Sequence, residues 1–81
     1  VENGYVFMNI KPGKKKQVVA KLKMIKGVKE ARILLGIFDA IAKVEGETYE
    51  DIEHIYFNKI DRFPELTSSR LHIVACPKTR K

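Results

Sequence analysis

Lys29-Glu30-Ala31-Arg32-Ile33-Leu34-Leu35-Gly36-Ile37-Phe38-Asp39-Ala40-Ile41-Ala42-Lys43-Val44-Glu45 is the stretch that decides the fold. It reads as two strands, 29–35 and 39–45, joined as a hairpin through the Gly36 region. Gly36-Ile37-Phe38-Asp39 forms the loop, close to the midpoint of the 81 residues. On either side of this hairpin the apolar spacing changes from strand to helix.

Towards the N-terminus, Lys14 to about Met24 reads as a helix, with Val18, Leu22 and Ile25 at helical spacing and Val19 widening the stripe. Gly27 suits the region of its C-cap. Before it, Tyr5-Val6-Phe7-Met8-Asn9-Ile10 is a β-rich apolar run, ended by a Pro12-Gly13 turn. Towards the C-terminus, Thr48-Tyr49-Glu50-Asp51 fits a capping box at a helix start. Early acids Glu50, Asp51 and Glu53 favour that end of the helix dipole. Ile52, Ile55, Tyr56, Ile60 and Phe63 continue the helical stripe until Pro64 stops it. Thr67 to Ala75 is the last strand, and Pro77 begins a basic tail.

The order is therefore strand, helix, strand, strand, helix, strand. Ile25-Lys26-Gly27-Val28 leads into one strand, and Phe63-Pro64-Glu65-Leu66 leads into another. Two such halves predict an α+β fold, the ferredoxin-like βαββαβ domain. Its four-stranded antiparallel sheet carries both helices on one face. One domain over residues 1–81 is expected, with a core at about 4–76 and the basic tail at 77–81.

The other face of that sheet is too apolar for water. The first strand places Tyr5 and Phe7 on one side and Val6, Met8 and Ile10 on the other. The last strand places Leu71, Ile73 and Ala75 on one side, with His72, Val74 and Cys76 opposite. A half-solvated sheet alternates more cleanly. Burying such surface is favourable by about 25 cal/mol per Å², so a sheet-packed dimer, a dimeric α/β barrel, is expected. The bland alternative is that β-branched residues simply suit strands.

A chain this short is marginally stable alone. Its hydrophobic fraction of 44% is ordinary, so disorder is not expected. No apolar run is long enough for a membrane helix, and the start has no signal-like segment. The lone Cys76 excludes an internal disulfide and a thiolate zinc cluster. A cytoplasmic setting is expected, and abundant Lys, Glu and Ile lean towards a thermophilic source. The net charge of +6 is unevenly spread. Residues 11–29 hold eight lysines and no acid, whereas 45–65 hold seven acids against Lys59 and Arg62. This suits contact between copies of the chain or contact with nucleic acid.

Gly-x-Phe-Asp at a hairpin is commonly just a turn, with the Asp bonding its own backbone. It is also a place where a carboxylate holds an ammonium group while loop amides hold a carboxylate, the pattern that suits an α-amino acid. His54 and His72 have no Cys, Ser or Asp at triad or metal spacing, and there is no cofactor motif. An enzyme, a metal site and a cofactor are not expected. The aromatic pattern of a sheet-based RNA binder is absent. No helix-turn-helix precedes the first strand, so sequence-specific DNA reading is not expected.

The chain resembles the effector-binding (RAM) domain of the Lrp/AsnC family of transcription regulators over roughly Tyr5 to Ala75. Ile10-Lys11-Pro12-Gly13-Lys14, Ile25-Lys26-Gly27-Val28-Lys29-Glu30-Ala31, Gly36-Ile37-Phe38-Asp39, Ile41-Ala42-Lys43-Val44 and Phe63-Pro64 carry the resemblance. It implies sheet-packed dimers, rings of dimers, and an amino-acid effector between them. It implies ligand contacts from Gly36, Ile37, Phe38 and Asp39, and from Ser69 at the usual Thr position of the last strand. Leu35 stands where that pattern often has Thr, and Phe38 where it has Tyr. The chain reads as a stand-alone version that modulates full-length regulators by co-assembly. A basic accessory nucleic-acid-binding protein is the alternative, and a small dimeric enzyme of this fold a more distant one.

Overall fold

The computed structural model of the chain describes residues 1–74. In it β1 (Glu2–Ile10) is followed by α1 (Lys15–Lys23), β2 (Val28–Ile33), β3 (Ala40–Gly46), α2 (Tyr49–Ile55) and β4 (Leu66–Ile73). All pairings are antiparallel, in the order β2-β3-β1-β4. This is the predicted βαββαβ arrangement. Ala75, Cys76 and the basic tail lie outside the described residues.

Strand alternation sets the core. Val6, Met8 and Ile10 of β1 and Ala40, Ala42 and Val44 of β3 point inward and are buried. The apolar stripes of the helices cover them: Val18, Val19 and Leu22 from α1, and Ile52 from α2 with Tyr56 and Ile60 beyond it. Gly4 permits a close approach, because a Cβ there would sit 3.0 Å from Ile52 Cγ2.

The caps follow the sequence. Thr48 accepts from the Asp51 amide while Asp51 returns a bond to the Thr48 amide, so the capping box is present. Lys14 offers α1 no side-chain cap. Gly27 adopts φ +100°, a left-handed conformation that favours glycine, as α1 turns into β2.

Three details depart from expectation. The strand begins at Glu2 rather than Tyr5, since Glu2, Asn3 and Gly4 pair with Gly46, Glu45 and Val44. The second helix does not run on as α-helix to Pro64. After Ile55 it widens into a π-helical segment, Tyr56–Ile60, where the Asp61 amide bonds the Tyr56 carbonyl at 2.8 Å. Finally, the pairing of β1 with β4 slips between Asn9 and Ile10, leaving Thr67 as an extra residue.

Candidate ligand and assembly face

Tyr5, Phe7 and Asn9 alternate with the core residues of β1 and so lie on the face opposite the helices. The strand register builds rows across it. Tyr5 lies between His72 and Lys43, Phe7 between Arg70 and Ile41, and Asn9 beside Ser68. Outward of these, Glu30 pairs with Lys43 and Arg32 with Ile41. The centre is aromatic. The Phe7 ring lies 5.2 Å from that of Phe38 and 5.6 Å from that of His72, centroid to centroid. Tyr5, Phe7 and Ile41 are only half-covered, which is costly for apolar surface unless something packs on it.

The β2–β3 loop rises at the end of this face. Gly36 has φ +144°, outside the range that side-chain-bearing residues favour. Leu35 and Ile37 on either side of it are 93% and 86% exposed, so the loop presents an apolar tip. Its base is fixed. The Asp39 amide donates to the Met8 carbonyl, and the Asp39 carbonyl accepts from Leu34, both at 2.8 Å. Asp39 Oδ2 accepts from the Ile10 amide at 2.8 Å, and Oδ1 lies 3.4 Å from Lys15 Nζ. The Ile10 hydrogen bond, with help from Lys15, holds the Asp39 carboxyl below its ordinary pKa against an opposing desolvation cost.

Asn9 ties the loop to the sheet. Its Nδ2 donates to the Ile37 carbonyl at 2.7 Å, and its Oδ1 accepts from Ser68 Oγ at 2.9 Å. Gly36, Ile37, Phe38 and Asp39 are thus gathered with Asn9 and Ser68. Ser69 is elsewhere. Its hydroxyl bonds Tyr56 Oη and Asp61 Oδ1, each at 2.7 Å, on the helix side of the sheet. Sequence reasoning missed Asn9 and Ser68, although the signal was available. Leu71 and Ile73 fix the inward parity of the last strand, and Ser69 shares that parity while Ser68 does not.

A second carboxylate also went unnoticed. Glu65, largely buried between Pro64 and β4, accepts from Lys21 at 2.7 Å and from Gln17 at 3.1 Å. The Lys21 bond holds its pKa below the usual value. Lys21 also lies over the Phe63 ring, 5.4 Å from its centroid. His54 is exposed and bonded by Asn58. Among the described residues no group of three or more His, Cys, Asp or Glu could hold a metal ion. No described helix is long and apolar enough to cross a membrane.

The arrangement brings together a sheet face with an aromatic centre and charged flanks, a loop with a fixed base and an apolar tip, and polar groups at their junction. Solved structures share this architecture. FFRP-DM1 is 31% identical, with 93% of this chain and 100% of that chain aligned and a TM-score of 0.87. Hypothetical protein PHS023 from Pyrococcus horikoshii is 29% identical, with 96% and 94% aligned and a TM-score of 0.88. The transcriptional regulator NMB0573 from Neisseria meningitidis, solved in complex with L-Met, shares the fold at 11% identity and a TM-score of 0.77. There the alignment covers 98% of this chain and 53% of the regulator. No curated protein sequence matches significantly. The sequence model of the Lrp/AsnC ligand binding domain matches residues 4–78, nearly the whole length, and the chain belongs to that family.

Proposed function

We propose that this chain is a ligand-responsive assembly module that binds an amino acid beside the β2–β3 loop and dimerises through its open sheet face. The observation that carries the reading is the juxtaposition of the half-covered Tyr5–Phe7–Ile41 surface with the exposed Leu35-Gly36-Ile37 tip. A second copy on the sheet removes the first from water, and assembly of dimers covers the second. Asp39 holds the ligand's ammonium group and the loop amides of Gly36 to Phe38 hold its carboxylate. The Lys15–Asp39 contact is half-exposed and weak enough to be exchanged for a ligand. Ser68 and Asn9 take the polar role on the sheet that Ser69 was expected to take, because the Ser69 hydroxyl lies on the helix side of the sheet, bonded to Tyr56 and Asp61. The L-Met complex of the Neisseria regulator supports the ligand class.

The mechanism is linkage. A ligand that binds better at the assembled interface stabilises that assembly, by no more than its differential affinity. Co-assembly with full-length regulators of the same family then gives the module a regulatory output.

Thermal unfolding in the presence of each of the twenty L-amino acids tests the ligand. At least one raises the midpoint for the parent chain and fails to do so for Asp39→Ala. If none raises it, the amino-acid assignment is wrong.

A further inference from the structure

Apart from Lys15, which contacts Asp39, the lysines of α1 and the turn after it have no role in the loop or on the open sheet face. Charge in the helical layer is sorted by helix. Glu47, Glu50 and Glu53 stand exposed on and just before α2, while the exposed residues of α1 include Lys16, Lys21 and Lys23. Among the described residues, only Lys15 and Lys21 of the lysines from 11 to 29 pair with an acid, Asp39 and Glu65 respectively. Lys16, Lys23, Lys26 and Lys29 are exposed and form no salt bridge among these residues, whereas Lys14 acts on Glu65.

Lys16, Lys23, Lys26 and Lys29 form one flank. Lys16 and Lys23 are two helical turns apart and share a side, about 10 Å from each other along the axis. Lys23 then meets Lys29 of the edge strand β2 in a hollow of about 380 Å³, which Glu30, Ala31 and Arg32 complete. Arg32 is partly paired there, 3.9 Å from Glu30. The flank ends at a second hollow, where Lys26 and Lys29 meet Glu45 and Glu47.

We propose that this flank binds the phosphate backbone of duplex DNA without reading sequence. Three observations select that partner. The cations are spread along two elements, as a repeating polyanion requires, rather than converging on one point. The apolar stripe of α1 (Val18, Val19 and Leu22) is buried in the core, and along the flank only the single side chains of Met24 and Val1 stand exposed, too few to form an apolar face that inserts into a lipid surface. Each copy carries a net charge of +6, so the acids of α2 on a neighbouring copy cannot neutralise the flank without leaving a large positive surplus. DNA can neutralise it fully and gains counterion release on doing so. The inference is independent of the amino-acid reading, since its four lysines take no part in the loop site.

The test is fluorescence anisotropy of a labelled 30-base-pair duplex at several salt concentrations with two matched variants. Lys16→Glu/Lys23→Glu and Lys59→Glu/Arg62→Glu lower the net charge equally, but only the first pair lies on the flank. About four phosphate contacts predict a slope of log K against log salt near −4, and a loss of roughly a hundredfold between 50 and 200 mM. Lys16→Glu/Lys23→Glu flattens the slope to about −2, and a scrambled duplex binds as tightly as the first. The variant remains folded, because an acid at the start of α1 offsets the loss of a base at its end; circular dichroism verifies this. Equal losses from both variants would reduce the effect to net charge and overturn the proposal. So would capture by phosphatidylserine vesicles as tight as capture by DNA and equally dependent on Lys16 and Lys23.

Discussion

Asp39 accepts a hydrogen bond from the Ile10 amide and lies near Lys15, and both partners favour its ionised form. Glu65 is held ionised in the same way by Lys21. Each carboxyl therefore titrates lower in the folded chain than in the unfolded one. Stability from such groups is complete above the unfolded values, near pH 4, and is lost as pH falls through the lower folded values. Urea unfolding should give a constant midpoint from pH 7 to 5 and a falling one below pH 4. Asp39→Asn and Glu65→Gln should each flatten that fall. The two serines separate fold from site at the same scale. Ser69→Ala removes a partner from Tyr56 and Asp61 and should cost about 1 kcal/mol while leaving ligand response intact. Ser68→Ala should leave the urea midpoint nearly unchanged and weaken ligand binding. Choosing Ser69 from the sequence followed a motif position; the parity of Leu71 and Ile73 would have placed it with the core.

At the scale of elements, local chemistry was legible wherever one residue type has one job. Thr48 and Asp51 announced the start of α2, and Thr48→Ala should cost about 1 kcal/mol in urea unfolding. Gly27 announced the turn out of α1. A Cβ there would meet Ile55 Cδ1 at 2.5 Å and the Glu45 carbonyl at 3.3 Å, in a backbone conformation that side chains disfavour. Gly27→Ala should accordingly destabilise the chain by about 1–3 kcal/mol. The π-helical segment was not legible. Ile52, Tyr56 and Ile60 recur every four residues, which an ordinary helix satisfies, so the apolar pattern carries no mark of the widened turn. The extra residues Lys29 and Thr67 were equally silent, because a slip in pairing depends on the partner strand.

For the whole molecule, the alternation in β1 and the paired helical stripes were enough to predict the sheet, its order of elements and its covered face. The same alternation marked Tyr5 and Phe7 on the open face as surface requiring cover, but it did not show that charged residues flank them, and no single sequence names the surface that covers them. Replacing Phe7, at the centre of that face, should separate the copies without disturbing the core, since Val6 and Met8 face the other way. Sedimentation of Phe7→Asp should show a folded monomer. The central claim is that ligand binding and assembly are one process, and native mass spectrometry of the pure chain, alone and with a pool of amino acids, tests it most directly. The account predicts an even-numbered assembly that retains one ligand species per subunit; a monomer that retains nothing would contradict it.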